Sequence, residues 1–341
     1  MKFLVIRTGD IGDIVLSTPV IRCIKKQLPL AEVHFLLNSR FRLLLEQNPY
    51  VNKVHSFSES ETIAEELRSE NFDIVIDLQD DRFSRRIIRE LGVTAKSYDR
   101  LAFKKALYTR FKVNTMPSLH VVDRYLKTVE SLQVKDDGEG LDYFIPSRDE
   151  VVEKDIPASH HLGYIALVIG GSKFNKKMPV EKLKEICLAI DHPIILLGAN
   201  EDFNEGYQVS SIDPVKIYNA CGKFNLNESA DLLKKSRLVI SHDTGLMHIA
   251  AALKKPIISV WGSTVPSFGM VPYYGKRFQN RVSSEMIQVK NLWCRPCSER
   301  GLDHCPQGHF KCMKKISVPA VVEQVKALLK ADQNSNSFTE G

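Results

Sequence analysis

The sequence predicts an α/β protein built from two Rossmann-like, doubly wound domains facing across a cleft. Three observations carry this. At 341 residues the chain is longer than the size at which one hydrophobic core keeps growing. Short apolar runs alternate with amphipathic helical stretches along its length, the pattern of βαβ units around parallel sheets. Each half also opens alike: Lys2–Arg7 runs into the glycine turn Thr8–Asp13, and Tyr164–Ile169 runs into Gly170-Gly171-Ser172. Between them Val134–Asp155 is polar and rich in acid and glycine, with Pro146 inside and Pro157 just beyond. The domains are therefore expected at 1–150 and 151–330. The polar tail 331–341 (ADQNSNSFTEG) has the composition of a disordered end.

In the first half, the buried strand KFLVIR is followed by a helix expected from about Ile14 to Gln27, and Pro29 ends it. Gly9 and Gly12 allow a tight turn and a close backbone approach, with Asp10 and Asp13 beside them. A third glycine of the dinucleotide fingerprint is missing, so NAD binding gains little support. Strands are expected at Val33–Leu37, Val51–Phe57 and Asp73–Leu78, with helices at Arg40–Gln47, Ile63–Glu70 and His120–Leu132. Two basic stretches lie between, Arg82–Arg89 and Arg100–Lys112. They carry Arg82, Arg85, Arg100, Lys104 and Lys105, the second stretch interleaved with Leu101, Phe103, Leu107, Tyr108 and Phe111. Such a surface suits an anionic, partly greasy partner such as a phosphorylated glycolipid, or is simply a solvated helix face.

In the second half a lysine-rich loop, Lys173–Pro179, precedes the helix Val180–Ile190. The strand Pro193–Gly198, the turn Ala199–Asp202, the strand Val215–Asn219 and the helix Leu226–Lys235 follow. The strand Ser236–Ser241 then enters the polar turn His242–Asp243–Thr244–Gly245. A helix runs from Leu246 to Lys255, Pro256 stops it, and Ile257–Trp261 is the next strand. This turn sits at the carboxyl end of a parallel strand and the amino end of a helix, where open α/β sheets bind ligands. Free N–H groups there favour an anion, and Asp243 and Thr244 can reach hydroxyls. A helix cap is the competing role for either residue.

No apolar run approaches the roughly 20 residues that span a bilayer, and the N-terminal residues lack the features of a secretory signal. A cytoplasmic protein is expected. Net charge +6 suits an anionic ligand but falls short of a nucleic-acid protein. Cys294, Cys297, Cys305 and Cys312, with His304 and His309 among them, form a cluster that could hold structural zinc or remain as thiols.

Taken together, the motifs resemble glycosyltransferase family 9, the bacterial heptosyltransferases of the lipopolysaccharide inner core. The matching positions span nearly the whole chain: Gly12–Asp13, Thr18–Pro19, Phe72–Leu78, the His120 helix, Lys176–Pro179 and Gly198–Glu201. The most specific is DTGLMHIAAAL from Asp243, followed by PIISVWG. One position departs, since the family often has Trp two residues after the lysine and this chain has Met178.

The resemblance implies a GT-B fold, with the acceptor bound mainly by the first domain and a sugar nucleotide mainly by the second. It implies metal-independent, inverting transfer of heptose from ADP-heptose to a lipid A-linked acceptor at the cytoplasmic face of the inner membrane, with no catalytic cofactor. Asp13 is then the catalytic base, beside the loop Gly9, Asp10 and Gly12. Lys176 contacts phosphate with Ser172 on its loop, Glu201 holds ribose hydroxyls, and Asp243 holds sugar hydroxyls with Thr244 and Gly245 beside it. His248, one turn into the helix, reaches the donor or packs behind it. Rival functions are transfer from another nucleotide sugar, a sugar-nucleotide epimerase, or a non-catalytic binding protein.

Overall fold

The computed structural model describes residues 1–58 and 63–337, with side chains through residue 331. Two separate parallel sheets organise the chain. The first contains β1 (Lys2–Ile6), β2 (Glu32–Asn38), β3 (Lys53–Phe57), β4 (Ile74–Asp77) and β5 (Thr94–Ser97), in the spatial order β3-β2-β1-β4-β5. The second contains β6 (Ile165–Val168), β7 (Ile194–Leu197), β8 (Ile217–Asn219), β9 (Leu238–His242), β10 (Ile257–Trp261) and β11 (Ser284–Gln288), in the order β11-β10-β9-β6-β7-β8. Every strand pair is parallel. Each order reverses at one place, between β1 and β4 and between β6 and β9, and each reversal opens a crevice at the strands' carboxyl ends.

The helices are α1 (Ile11–Gln27), α2 (Ala64–Ser69), α3 (Arg82–Leu91), α4 (Ala102–Phe111) and α5 (Val121–Leu126) in the first half. In the second they are α6 (Val180–Ala189), α7 (Phe203–Ser210), α8 (Leu226–Lys235), α9 (Gly245–Ala252), α10 (Lys311–Lys314) and α11 (Val318–Ser337). Alternation along the strands divides their apolar residues between layers. Phe3 and Val5 face inward with α1, and Ala166, Val168 and Val239 face inward with α9, all in one continuous core that joins the halves. Leu4, Ile6 and Leu36 face outward under α2 and α3. Ile165, Leu167 and Ile240 face outward under α6 and α11.

The polar stretch between the halves is irregular but docked. Arg22 of α1 is buried and takes both carboxylate oxygens of Asp137 at 2.8 Å, with the Gly140 carbonyl at 2.8 Å and Asp142 beside it. On the other side Lys254 donates to the carbonyls of Glu139 and Leu141, at 2.7 and 3.1 Å.

Several elements differ from the sequence expectation. The first helix starts at Ile11, because Gly12 and Asp13 belong to its first turn rather than to the preceding loop. Ser39–Leu44 forms only a 3-10 turn, and the long helix expected from His120 stops at Leu126 before a second such turn at Glu130–Leu132. β5 and β11 were not expected; both are edge strands with mixed, partly exposed residues, so no apolar run marks them. α11 continues past Lys330 to Ser337, through residues whose composition suggested a tail, while 338–341 lie outside the described residues.

Candidate functional site

The turns after β1 and β9 meet head to head, because α1 and α9 begin against each other. A Cβ on Gly12 would lie 2.6 Å from Cδ2 of His248, and one on Gly245 would lie 2.5 Å from Cβ of Ile11. Two glycines therefore let the amino ends of two helices, one from each half, share one space. Both ends carry unpaired N–H groups and positive partial charge.

Asp13, at the third position of α1, is 6% exposed and pairs with Arg7 at the end of β1, Nη2 to Oδ2 2.5 Å. Arg7 is itself fixed by the Leu78 carbonyl at 2.9 Å and by Gln79 Oε1 at 3.1 Å, beyond the end of β4. Burial alone would push the Asp13 carboxyl up; Arg7, with smaller help from Arg300 and His248, holds it below its ordinary value. Asp13 is thus an ionised carboxylate and not a helix cap. Asp10 occupies the cap position, makes no side-chain cap bond, and lies 3.3 Å from Arg300.

In the facing turn Asp243 is 9% exposed and accepts from Lys176 Nζ at 2.9 Å and from Thr264 Oγ1 at 2.8 Å. Burial works against its charge, but Lys176, His248 and Thr264 together keep its carboxyl below the usual range. Thr244 is the N-cap residue of α9 by backbone position and makes no side-chain cap bond; its hydroxyl lies 3.3 Å from that of Ser241. His248 is buried between the two acids, and desolvation outweighs their attraction, lowering it to about 4, so it is neutral at pH 7. His242 is also buried, and its Nε2 accepts from the Met178 N–H at 3.0 Å, a structural bond within the core.

The other expected donor residues, Ser172 and Glu201, lie exposed on the loops that follow β6 and β7. The neighbouring lysines have distinct partners: Lys176 faces Asp243, whereas Lys177 pairs with Asp202 and Glu205, each at 2.7 Å. Buried Asn175 holds this loop by accepting from Ser263 Oγ at 2.7 Å and from the Leu302 N–H at 2.8 Å.

Arg7, Thr264 and Arg300 went unnoticed in the sequence. Arg7 carried a signal, as a cation closing an otherwise apolar strand. Arg300 carried none, because it reaches the site from a loop 290 residues away from its partner Asp10.

That loop includes the cysteines. Cys294 Sγ lies 3.9 Å from His309 Nε2, and Cys305 Sγ accepts from the Phe310 N–H at 3.3 Å. Cys312 lies near enough to Cys294, Cys297 and Cys305 to interact with their charge, although among the described residues no three cysteine or histidine ligand atoms of this loop fall within 4.8 Å of one another. The loop also straps the halves together. Lys112 of the first half donates to the Pro296 carbonyl at 2.7 Å, and Lys105 pairs with Glu299.

Lys105 thus departs from the acceptor surface expected of it: it turns inward from α4, 6% exposed, with a partner in the other half. Of the remaining basic candidates, Arg82 and Lys104 are exposed, Arg85 pairs with Asp80 at 2.7 Å, and Arg100 donates to the Asp80 carbonyl at 3.2 Å. Among the described residues, no helix is long and apolar enough to cross a membrane.

The chain is similar in sequence and in fold to known proteins. Lipopolysaccharide heptosyltransferase 1 of Campylobacter coli is 26% identical over 356 residues, covering 96% of this chain and 99% of that protein. The solved glycosyl transferase family 9 structure from Veillonella parvula is similar with a TM-score of 0.77 at 19% identity, over 97% of each chain. That of E. coli ADP-heptose lipopolysaccharide heptosyltransferase II gives 0.72 at 18% identity, over 98% of this chain and 100% of that one. The two-domain architecture is therefore the GT-B fold. A family model described as glycosyltransferase family 9 (heptosyltransferase) matches residues 61–301, well over half of the sequence, and the chain belongs to that family.

Proposed function

We propose that this glycosyltransferase moves heptose from ADP-heptose to a lipid A-linked inner-core acceptor, inverting the anomeric centre, at the cytoplasmic face of the inner membrane. The observation that carries this is the opposition of Asp13 and Asp243 across the glycine contact of α1 and α9, each held ionised by its own cation. The relatives' names supply the sugar and the acceptor class.

In this mechanism the acceptor hydroxyl approaches Asp13 from the first half. Asp13 is a weak base, ready in its charged form at neutral pH because Arg7 stabilises the carboxylate. It takes the proton late, once bonding to the anomeric carbon has made the hydroxyl acidic. General-base help of this kind contributes about 10²–10⁴-fold. The nucleoside diphosphate departs on the opposite face of the sugar, which gives inversion.

Its growing charge is met by Lys176 and by the N–H groups that open α9, with Arg300 as a further cation beside Asp10. Asp243 holds sugar hydroxyls, with Thr264 fixing its orientation. Glu201 holds the ribose and Ser172 a phosphate oxygen. Because side chains supply these cations, added Mg²⁺ gives no acceleration on this mechanism. Arg82 and Lys104, exposed on the first half, meet the anionic acceptor and the membrane surface.

A thermal-shift panel with ADP, UDP, GDP and NAD tests the donor. A ligand bound to the folded state alone stabilises it by about 2.7 kcal/mol at 100 times its dissociation constant. ADP is expected to raise the unfolding temperature and the others not to. A response to UDP or GDP alone overturns the donor, and none to any nucleotide overturns the proposal.

A further inference from the structure

A second polar cluster lies on the outer face of the first sheet, away from the site. His34 of β2 and His55 of β3 are 2% and 1% exposed, in a layer otherwise made of Leu4, Ile6, Leu36, Leu67 and Val75. The edge of the Phe72 ring packs against both imidazoles, at 5.3 and 6.0 Å between centroids. Two buried histidines in an apolar layer need a chemical reason.

Their hydrogen bonds supply one. His34 Nε2 lies 2.8 Å from Glu32 Oε1, and His55 Nδ1 lies 2.6 Å from Glu66 Oε1. A carboxylate only accepts, so each of these ring nitrogens carries the proton. In the neutral rings the remaining nitrogens, His34 Nδ1 and His55 Nε2, then carry lone pairs, and these point at each other across 2.9 Å. Two lone pairs at that distance repel unless a cation lies between them. Glu70 of the loop after α2 presents one oxygen 3.8 Å from His34 Nδ1 and the other 3.9 Å from His55 Nε2. All three ligand atoms fall within 4.8 Å of one another.

We propose that His34, His55 and Glu70 bind a divalent transition metal of the zinc class. Two imidazoles and one carboxylate suit such an ion and not Mg²⁺ or Ca²⁺. Glu32 and Glu66 act as the outer carboxylates that commonly orient metal-binding histidines through their other N–H. Burial lowers the proton affinity of both rings, against the carboxylates that raise it. Glu70 here pairs with Lys2 and Lys53, each at 2.5 Å; metal binding displaces these ammoniums, and the Lys53 side chain is already half exposed. The ion would pin the end of α2 to β2 and β3.

The test uses the full chain, stripped with a chelator and titrated with Co²⁺ under reducing conditions. Nitrogen and oxygen ligation is expected to give visible d–d bands without a thiolate charge-transfer band, saturating at about one equivalent per chain. His34→Gln and His55→Gln should lose those bands while keeping the native circular dichroism. Should either variant fail to fold, imidazole ¹⁵N spectra of the wild-type chain decide: Zn²⁺ must shift His34 Nδ1 and His55 Nε2. Absence of binding, binding that survives in both variants, or a thiolate band alone overturns the proposal. So does a far-downfield imidazole proton that Zn²⁺ does not displace, since a shared proton would then fill the gap.

Discussion

Arg7 and Asp13 form a buried ion pair, 2.5 Å from Nη2 to Oδ2, between the end of one strand and the first turn of the next helix. If Asp13 is the base, Asp13→Asn lowers kcat by at least about 10²-fold while leaving nucleotide affinity near normal. Steady-state kinetics beside nucleotide titration checks this; full transfer in Asp13→Asn removes the assignment.

Arg7→Met separates the two contributions to Asp13. Without the guanidinium, burial dominates and the carboxyl titrates higher, so the acid limb of the pH–rate profile moves upward. The stability sign follows. With its folded pKa depressed, Asp13 stabilises the wild-type fold above its unfolded value of about 3.9, and that contribution is lost as pH falls through the folded value. Breaking a buried pair costs about 3–5 kcal/mol, readable in chemical denaturation.

Lys176→Gln leaves Asp243 with Thr264 but no formal positive partner. Donor KM should rise by about tenfold or more, reflecting the roughly 1.5–3 kcal/mol of a charged hydrogen bond. Lys177→Gln, whose partners are Asp202 and Glu205, should affect stability more than KM. Equal KM effects from both substitutions would count against a specific role for Lys176.

His248 makes the fold acid-sensitive. Its folded value of about 4 lies below the unfolded 6.5, so below pH 6.5 the unfolded chain binds the extra proton. Stability is therefore lost as pH falls from about 6.5 towards 4, by up to about 3 kcal/mol from this group. His120 and His242, both lowered to about 3 by burial, act in the same direction. Denaturation series at several pH values should show this slope, shallower in His248→Asn.

Gly12→Ala should destabilise by about 1–3 kcal/mol, because the new methyl meets the His248 ring. Combining it with His248→Ala relieves the clash, so the double mutant should be less than additive. Strict additivity would show that the two helix ends do not touch in solution.

Much of the fold could be read from the sequence where burial is complete. β1, β4, β6, β7, β9 and β10 are buried along nearly their whole length and appear as apolar runs. The edges could not, since β5 and β11 have no such runs. α7 was hidden by Gly206, whose missing Cβ leaves room for Asn219. At the site, the acids flanking glycine turns were legible because strand, turn and helix follow each other locally. Their partners were harder to foresee: Thr264 is 21 residues from Asp243, and Arg300 is 290 from Asp10.

The docked stretch between the halves has a mechanical consequence. It is bonded to Arg22 in α1 on one side and to Lys254 just beyond α9 on the other, while the far ends of those helices touch through Gly12 and Gly245. Clamped at both ends, α1 and α9 act as one beam rather than as two bodies joined by a rope. At the rim, α4 and the residue after it meet the 292–305 strap through two side chains, Lys105 with Glu299 and Lys112 with the Pro296 carbonyl.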